Sequence, residues 1–174
     1  MMTTILVSLA ILLAGFLIYV STRPGYFNYE RSGLLKATPA KIYPYISQLS
    51  LGGAWSPYEK RDPGMKKTFK GEDGKIGSLM IFDAKPGVGT GQIEILNLNP
   101  NESVEMKLIM TKPIKANHII KYKLTPEGSA TRFSWSMEGE NGFMGKLMTT
   151  VINCEKMMGK DMNEGIENLK KVIE

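Results

Sequence analysis

The sequence contains one cysteine, Cys154, and one histidine, His118. A lone cysteine excludes an intrachain disulfide, so the core alone must hold the fold. Together the two supply no Cys/His set for zinc. Ser-His-Asp catalysis would depend on His118 alone, and no G-x-S-x-G elbow is present. Charge is thin as well: a net +5 over 174 residues falls short of a nucleic-acid footprint and favours an anionic membrane surface only weakly. No tract alternates basic and aromatic residues as a single-strand binder does, so nucleic acid is not an expected partner. No cofactor is expected either. "GVGTG", Gly87 to Gly91, has the glycines of a phosphate loop but lacks the lysine and the following helix. It reads as a flexible hairpin.

Charge of either sign is absent before Arg23. Ile5 to Val20, "ILVSLAILLAGFLIYV", becomes eighteen residues with Thr3 and Thr4. That is about 27 Å of helix, against a hydrocarbon core of about 30 Å. A cleaved signal peptide needs a basic n-region and small residues at its cleavage site. This run has no Lys or Arg before it and no clear A-x-A. A buried domain helix fits poorly, because no face is polar. The expectation is an uncleaved single-pass anchor, with residues 1–28 as anchor and linker. Arg23, Arg31 and Lys36 follow the span, which by the positive-inside rule places the domain on the cytoplasmic side.

The remainder is patterned. Tyr29–Ala37 reads as a strand. Thr38 and Pro39 then open a short helix that Pro44 should shorten or kink. Leu49 to Trp55 allows a second short helix, weakened by Gly52-Gly53. From Lys66 the period becomes two, through "KKTFKG", "GSLMIFDA", "GQIEILNL", "ESVEMKLIM", "ANHIIKYKL" and "ATRFSWSMEG". Alternating faces such as Phe133/Trp135/Met137 against Arg132/Ser134/Ser136 mark an antiparallel sheet with one wet side. Connections like "PEGSA" are too short for a crossover helix, so neighbours should pair as hairpins. Leu147, Val151, Cys154, Met158, Met162, Ile166, Leu169 and Ile173 then recur at helical spacing. They predict one amphipathic helix of about thirty residues, roughly 45 Å long. Gly145, Gly159 and Gly165 each cost that helix up to about 1 kcal/mol against Ala. Close approach to the sheet, or a bend, would offset the cost.

The expected fold class is α+β: a curved seven-stranded antiparallel sheet around a long C-terminal helix, with an N-terminal transmembrane helix. Residues 29–174 resemble the SRPBCC superfamily, the START-like or polyketide cyclase/dehydrase-like helix-grip proteins. The resemblance is carried by "ERSGLLKATPAKIYPYI", "WSPYEKRDPGMKKTFKGEDGKIGS", "GTGQIEILNLNPNESVEMKLIMTKP", "ATRFSWSMEGENGFMGKL" and "MMGKDMNEGIENLKK". Pro44 and Gly52-Gly53 depart from the family pattern. The resemblance implies a helix-grip domain over 29–174, binding a small hydrophobic or lipid-like ligand between sheet and helix. The superfamily also holds enzymes, so cyclase/dehydrase-type chemistry in the same cavity stands beside it, as does an interaction module with a filled core.

The candidate cavity residues fall into three groups. Trp55, Met106 and Leu108 come first, with His118, Ile120 and Tyr122 next on the following strand. Phe133, Trp135 and Met137 line the last strand. Met148, Val151, Met158 and Met162 lie on the helix, where methionine gives a pliant lining. His118 and Tyr122 are the groups able to orient a ligand or titrate, and no catalytic residue is assigned. "WSPYEKRDPGMKKTF" reads as a rim, its Lys60, Arg61, Lys66 and Lys67 a solvated face. Asp83 and Glu94, separated by the glycine hairpin, read as edge salt bridges or solvated carboxylates and not as an acid/base pair. Cys154 is expected to be an inert thiol.

Overall fold

The computed structural model describes all 174 residues, Met1 to Glu174. Helix α1 (Met2–Thr22) leads directly into β1 (Tyr26–Leu35). Four short helical pieces follow: α2 (Pro39–Ser47), a 3-10 turn (Leu49–Leu51), α3 (Gly52–Trp55) and α4 (Pro57–Arg61). Next come β2 (Lys66–Lys70), β3 (Leu79–Asp83), β4 (Thr90–Asn99), β5 (Ser103–Lys112), β6 (Ala116–Glu127) and β7 (Ala130–Glu140). Helices α5 (Phe143–Val151) and α6 (Cys154–Ile173) close the chain.

The strands form one seven-stranded antiparallel sheet in the order β1-β7-β6-β5-β4-β3-β2. From β2 to β7 every strand pairs with its sequence neighbour, as the short connections require. β1 returns to pair with β7, setting Tyr29 opposite Met137 and Gly33 opposite Phe133. Strand β1 begins earlier than the sequence pattern indicates, so Arg23-Pro24-Gly25 is the whole connection to α1.

The helices differ from the sequence reading in their bounds. Helix α2 runs past Pro44 to Ser47, because Ile42 and Ile46 are buried in the core on either side of the proline. The Leu49–Trp55 region winds into two pieces, a 3-10 turn and α3, and a further short helix, α4, follows. Asp73 accepts from the backbone N–H groups of Leu49 (2.7 Å) and Ser50 (3.2 Å). Ser56 caps α4, with Pro57 at its first position. The predicted thirty-residue helix is broken: Ile152 is extended, and Asn153 caps α6 by accepting from Lys156 N–H at 2.9 Å. Thr149, Thr150, Val151 and Ile152 are four β-branched residues in succession, which helices disfavour. The hydroxyls of Thr149 and Thr150 also bond back to Lys146 O.

Helix α6 lies across the concave face and buries Met162, Ile166, Leu169 and Ile173 against the sheet. Its glycines mark the points of approach. A Cβ at Gly165 would lie 2.6 Å from the Trp135 ring, and one at Gly159 would fall on the Arg31 guanidinium. The α6 C-terminus is tied down by Glu174, which accepts from Lys36 N–H at 2.8 Å, and by the Lys41 ammonium on Ile173 O.

Helix α1 projects away from this body. Its mean hydropathy is 2.4, and nearly all of it is exposed. By length and composition it can cross a membrane, a test a signal sequence also meets. Only its end touches the domain: Val20 is fully buried, α1 packs against α5, and Lys146 donates to Ser21 O at 3.2 Å.

Candidate functional site

A cavity of about 350 Å³ lies between the sheet and the first turns of α6, where Met157, Met158 and Asp161 line it. Strands β5 to β7 supply its floor with Leu108, Met110, Ile120, Tyr122, Trp135 and Met137. Met80, Phe82 and Ile93 of β3 and β4 form one wall, and Tyr58, Met157, Met158 and Asp161 of α4 and α6 form the opposite one. Fourteen of the twenty lining residues are hydrophobic, so the space suits an apolar guest. A second cavity of about 210 Å³ lies under α5, between Phe27, Tyr29, Met144 and Met148. His118, Met137, Met157 and Met158 wall both, so one histidine and three flexible methionines separate them. A third hollow of about 520 Å³ across the ends of β4 to β6 has only three hydrophobic residues in twelve, too polar for the same class of guest.

Polar groups at the main cavity are few, and most are committed. Arg61 bonds Asp161 (2.5 Å) and Glu164 (2.8 Å), joining α4 to α6. These bonds hold its guanidinium charged far above the working pH range. Glu59, buried, pairs with Lys67 at 2.5 Å. Gly52 is what admits that carboxylate, since a Cβ there would fall on Glu59 Oε1. Burial raises the phenol pKa of Tyr122, and burial with Asp161 alongside does the same for Tyr58, so both stay protonated. Burial lowers His118 from its ordinary 6.5, leaving a neutral imidazole at pH 7. No three His, Cys, Asp or Glu side chains are grouped to share a metal ion.

Of the sequence candidates, Leu108, His118, Ile120, Tyr122, Trp135, Met137 and Met158 line the main cavity, and Met148 lines the smaller one. Trp55, Met106, Phe133 and Met162 are packed core and wall neither space. The Trp55 ring meets Tyr122 and Trp135 edge-on at 5.6 Å each and Phe133 at 6.2 Å, filling the end of the grip that α3 closes. Val151 is 70% exposed, because the helix break turns the end of α5 outward.

The rim cations are corrected too: Arg61 and Lys67 are ion-paired, not simply solvated. Asp83 and Glu94 form no acid/base pair across the hairpin. Register sets Asp83 opposite Thr90, whose hydroxyl it accepts at 2.8 Å, and Glu94 opposite Leu79. Burial raises the Cys154 thiol pKa, in keeping with an unreactive group. Sequence reasoning missed Tyr58, Asp161, Met80 and Phe82. The alternation in "LMIFD" marked the last two, and Ser56-Pro57 marked the helix that presents the first.

Residues 27–174 match the family described as polyketide cyclase/dehydrase and lipid transport. No curated protein matches the sequence. Among solved structures, one similar chain is a protein from Chromobacterium violaceum. It has 16% identity and a TM-score of 0.61, with 84% of this chain and 96% of that one covered. Another is a norcoclaurine synthase point mutant from Thalictrum flavum bound to a transition-state analogue, with 14% identity, a TM-score of 0.63, and 87% and 96% covered. A major latex-like protein from Panax ginseng shares 12% identity and a TM-score of 0.58, with 85% and 97% covered. At these identities the likeness is one of fold, the seven-stranded grip around a C-terminal helix. With the match running from the second residue of β1 to the last residue of the chain, this protein belongs to the polyketide cyclase/dehydrase and lipid transport family of the SRPBCC superfamily.

Proposed function

We propose that this chain is a membrane-tethered binding protein for a small hydrophobic or lipid-like ligand, held between the sheet and α6. One observation carries the reading: a cavity of about 350 Å³ with a predominantly apolar lining. That volume lies above the roughly 300 Å³ lower bound of small-molecule sites, which argues against a filled core. Desolvation supplies the affinity, at about 25 cal/mol per Å² of apolar surface covered.

The tether reading is supported by the exposure of α1 and by the short connection Arg23–Gly25, which would keep the domain close to a membrane that α1 crossed. Arg23, Arg31 and Lys36 favour a cytoplasmic domain. Carbonate-resistant membrane association with residues 1–22 still present in the intact mass is the expected result for the anchor. Protease protection from one side only reads the orientation.

The ligand test compares the full chain with a Leu108→Trp variant, both purified from membranes and subjected to lipid mass spectrometry. A stoichiometric apolar species in the first, absent from the second, is expected. If neither sample holds one and fluorescent fatty-acid and sterol probes fail to bind, the reading falls. Catalysis in the same cavity is the second reading, favoured by the neutral, half-buried His118 at the shared wall. Its signature is a His118→Ala variant that still binds ligand but loses turnover.

A further inference from the structure

The net charge of the chain is small, but it is not evenly placed. The antiparallel register gathers alternate connections at the end of the sheet from which α1 leaves. There Tyr26 lies opposite Glu140, His118 opposite Gly139, Met110 opposite Ala116, and Thr90 opposite both Lys112 and Asp83. The chain at that end, residues 23–25, 62–66, 83–90, 112–116 and 140–142, carries five Lys or Arg against three Asp or Glu. At the opposite end, residues 35–39, 70–79, 99–103, 127–130 and 174 carry three against five.

The cations near α1 are also free. Arg23, Lys66, Lys85, Lys112 and Lys115 are exposed, and none is in an ion pair. Two of the three acids have other partners: Asp62 accepts from Lys85 N–H at 2.8 Å, and Asp83 from the Thr90 hydroxyl. Free lysines are ordinary on a protein surface, but two further observations single these out. One is the exit of α1. Arg23 sits over the Tyr19 ring at 5.7 Å, bringing together the aromatic and basic residues that mark a membrane interface. Lys146 on Ser21 O and Asn141 on Gly25 O hold the sheet end against that point. The other is the reach of the cavities. Gly87 and Val88 line the main one and Ile114 and Lys115 the smaller, so both apolar spaces extend to the basic end.

We propose that this end of the sheet is a docking surface for the anionic phospholipid headgroups of the bilayer that α1 crosses, with Lys85, Lys112 and Lys115 as its contacts. Each lysine brought close to an anionic leaflet strengthens association about fivefold, and the effect fades with salt. Docking sets the ends of both cavities against the bilayer. The proposal rests on the tether reading above and adds the lipid chemistry that the domain recognises.

The test uses the full chain, in a Cys154→Ser background, reconstituted in nanodiscs of phosphatidylcholine alone or mixed with phosphatidylglycerol. An environment-sensitive dye placed by Pro86→Cys reads contact through quenching by headgroup-spin-labelled lipid, and one placed by Ser129→Cys reads the opposite end. Quenching at position 86 is expected to rise severalfold with phosphatidylglycerol and to fall back at high salt. Lys85→Gln, Lys112→Gln and Lys115→Gln together should abolish the rise. Lys36→Gln, Lys70→Gln and Lys75→Gln, which remove the same charge from the opposite end, should leave it intact. The dye at position 129 should stay unquenched in both discs. Equal quenching at position 86 in the two lipids, quenching in neither, quenching at position 129, or equal effects of the two triple variants overturns the proposal while the tether reading stands. Extraction of the chain from membranes by carbonate overturns both.

Discussion

His118 stands where β6 passes under the opening of the grip, its ring edge-on to Phe27 at 5.0 Å and facing both cavities. Burial lowers its pKa below the ordinary 6.5, so the folded protein holds it neutral while the unfolded chain takes up a proton near that value. Between the two pKa values the unfolded state binds more protons, and stability therefore rises with pH. The contribution is complete above 6.5 and is lost as pH falls through the folded value. The unfolding midpoint of the wild type should accordingly drop on acidification below 6.5. His118→Phe should flatten that part of the profile; an unchanged slope in the variant would assign the effect to other groups.

The glycines of α6 make a second residue-scale contrast. Gly165→Ala drives a methyl into a buried indole, and overpacking of that kind costs about 1–3 kcal/mol, more than the roughly 1 kcal/mol gained in helix propensity. Gly159→Ala meets the end of a flexible arginine instead, so it should be neutral or stabilising. Denaturant titration of the two variants reads the difference, and equal effects would contradict the close packing of α6 on Trp135.

At the scale of elements, the break between α5 and α6 separates a well-packed helix from a loosely held one. Helix α6 buries four large apolar side chains, whereas α5 buries none of its residues. Asn153→Ala removes the α6 cap and should cost about 1 kcal/mol by chemical denaturation, with Asn153→Asp retaining most of it. Should Asn153→Ala prove neutral, the cap is not what starts α6. Here too lies the boundary of what could be read before the structure. The strands, their hairpin order and the buried side of α6 were legible because period two and period 3.6 leave different marks on Phe133/Trp135/Met137 and on Met162/Ile166/Leu169/Ile173. Helical spacing ran unbroken through residues 147–158, so it hid a break signalled only by the β-branched run and Asn153. Seven of the twenty residues lining the main cavity were legible, most of them for the same reason, since inward-facing strand residues must face either core or cavity. Which of the two they met was not. Phe133 and Trp135 share one face of β7, but only Trp135 reaches the open space, because α2 and α3 fill the other end with Ile42, Ile46 and Trp55. Long-range pairs such as Arg61 with Asp161 leave no local pattern at all.

On the scale of the whole molecule, the position of α5 follows from how α1 is joined to the body. Val20 is buried where α1 meets α5, Lys146 holds Ser21 O, and Asn141 N–H donates to Gly25 O at 2.9 Å. With Arg23-Pro24-Gly25 as the only free chain, the domain cannot swing far from the end of α1. The apolar side chains of Phe143, Met144, Val151, Ile152 and Met157 are all exposed in this region, and Met144 and Met157 also wall the cavities. If α1 spans a bilayer, that surface meets the headgroup boundary, where an amphipathic helix gains by burying its apolar side. An environment-sensitive dye placed by Val151→Cys in a Cys154→Ser background should emit blue-shifted in vesicles and be quenched by spin-labelled lipid. A dye placed by Lys123→Cys, on an exposed side of β6, should report water. Quenching of the first site only by an aqueous quencher would put α5 clear of the membrane. Under the proposed binding function, the ligand would then have to reach the cavities through solvent, past Met157, and not directly from the bilayer.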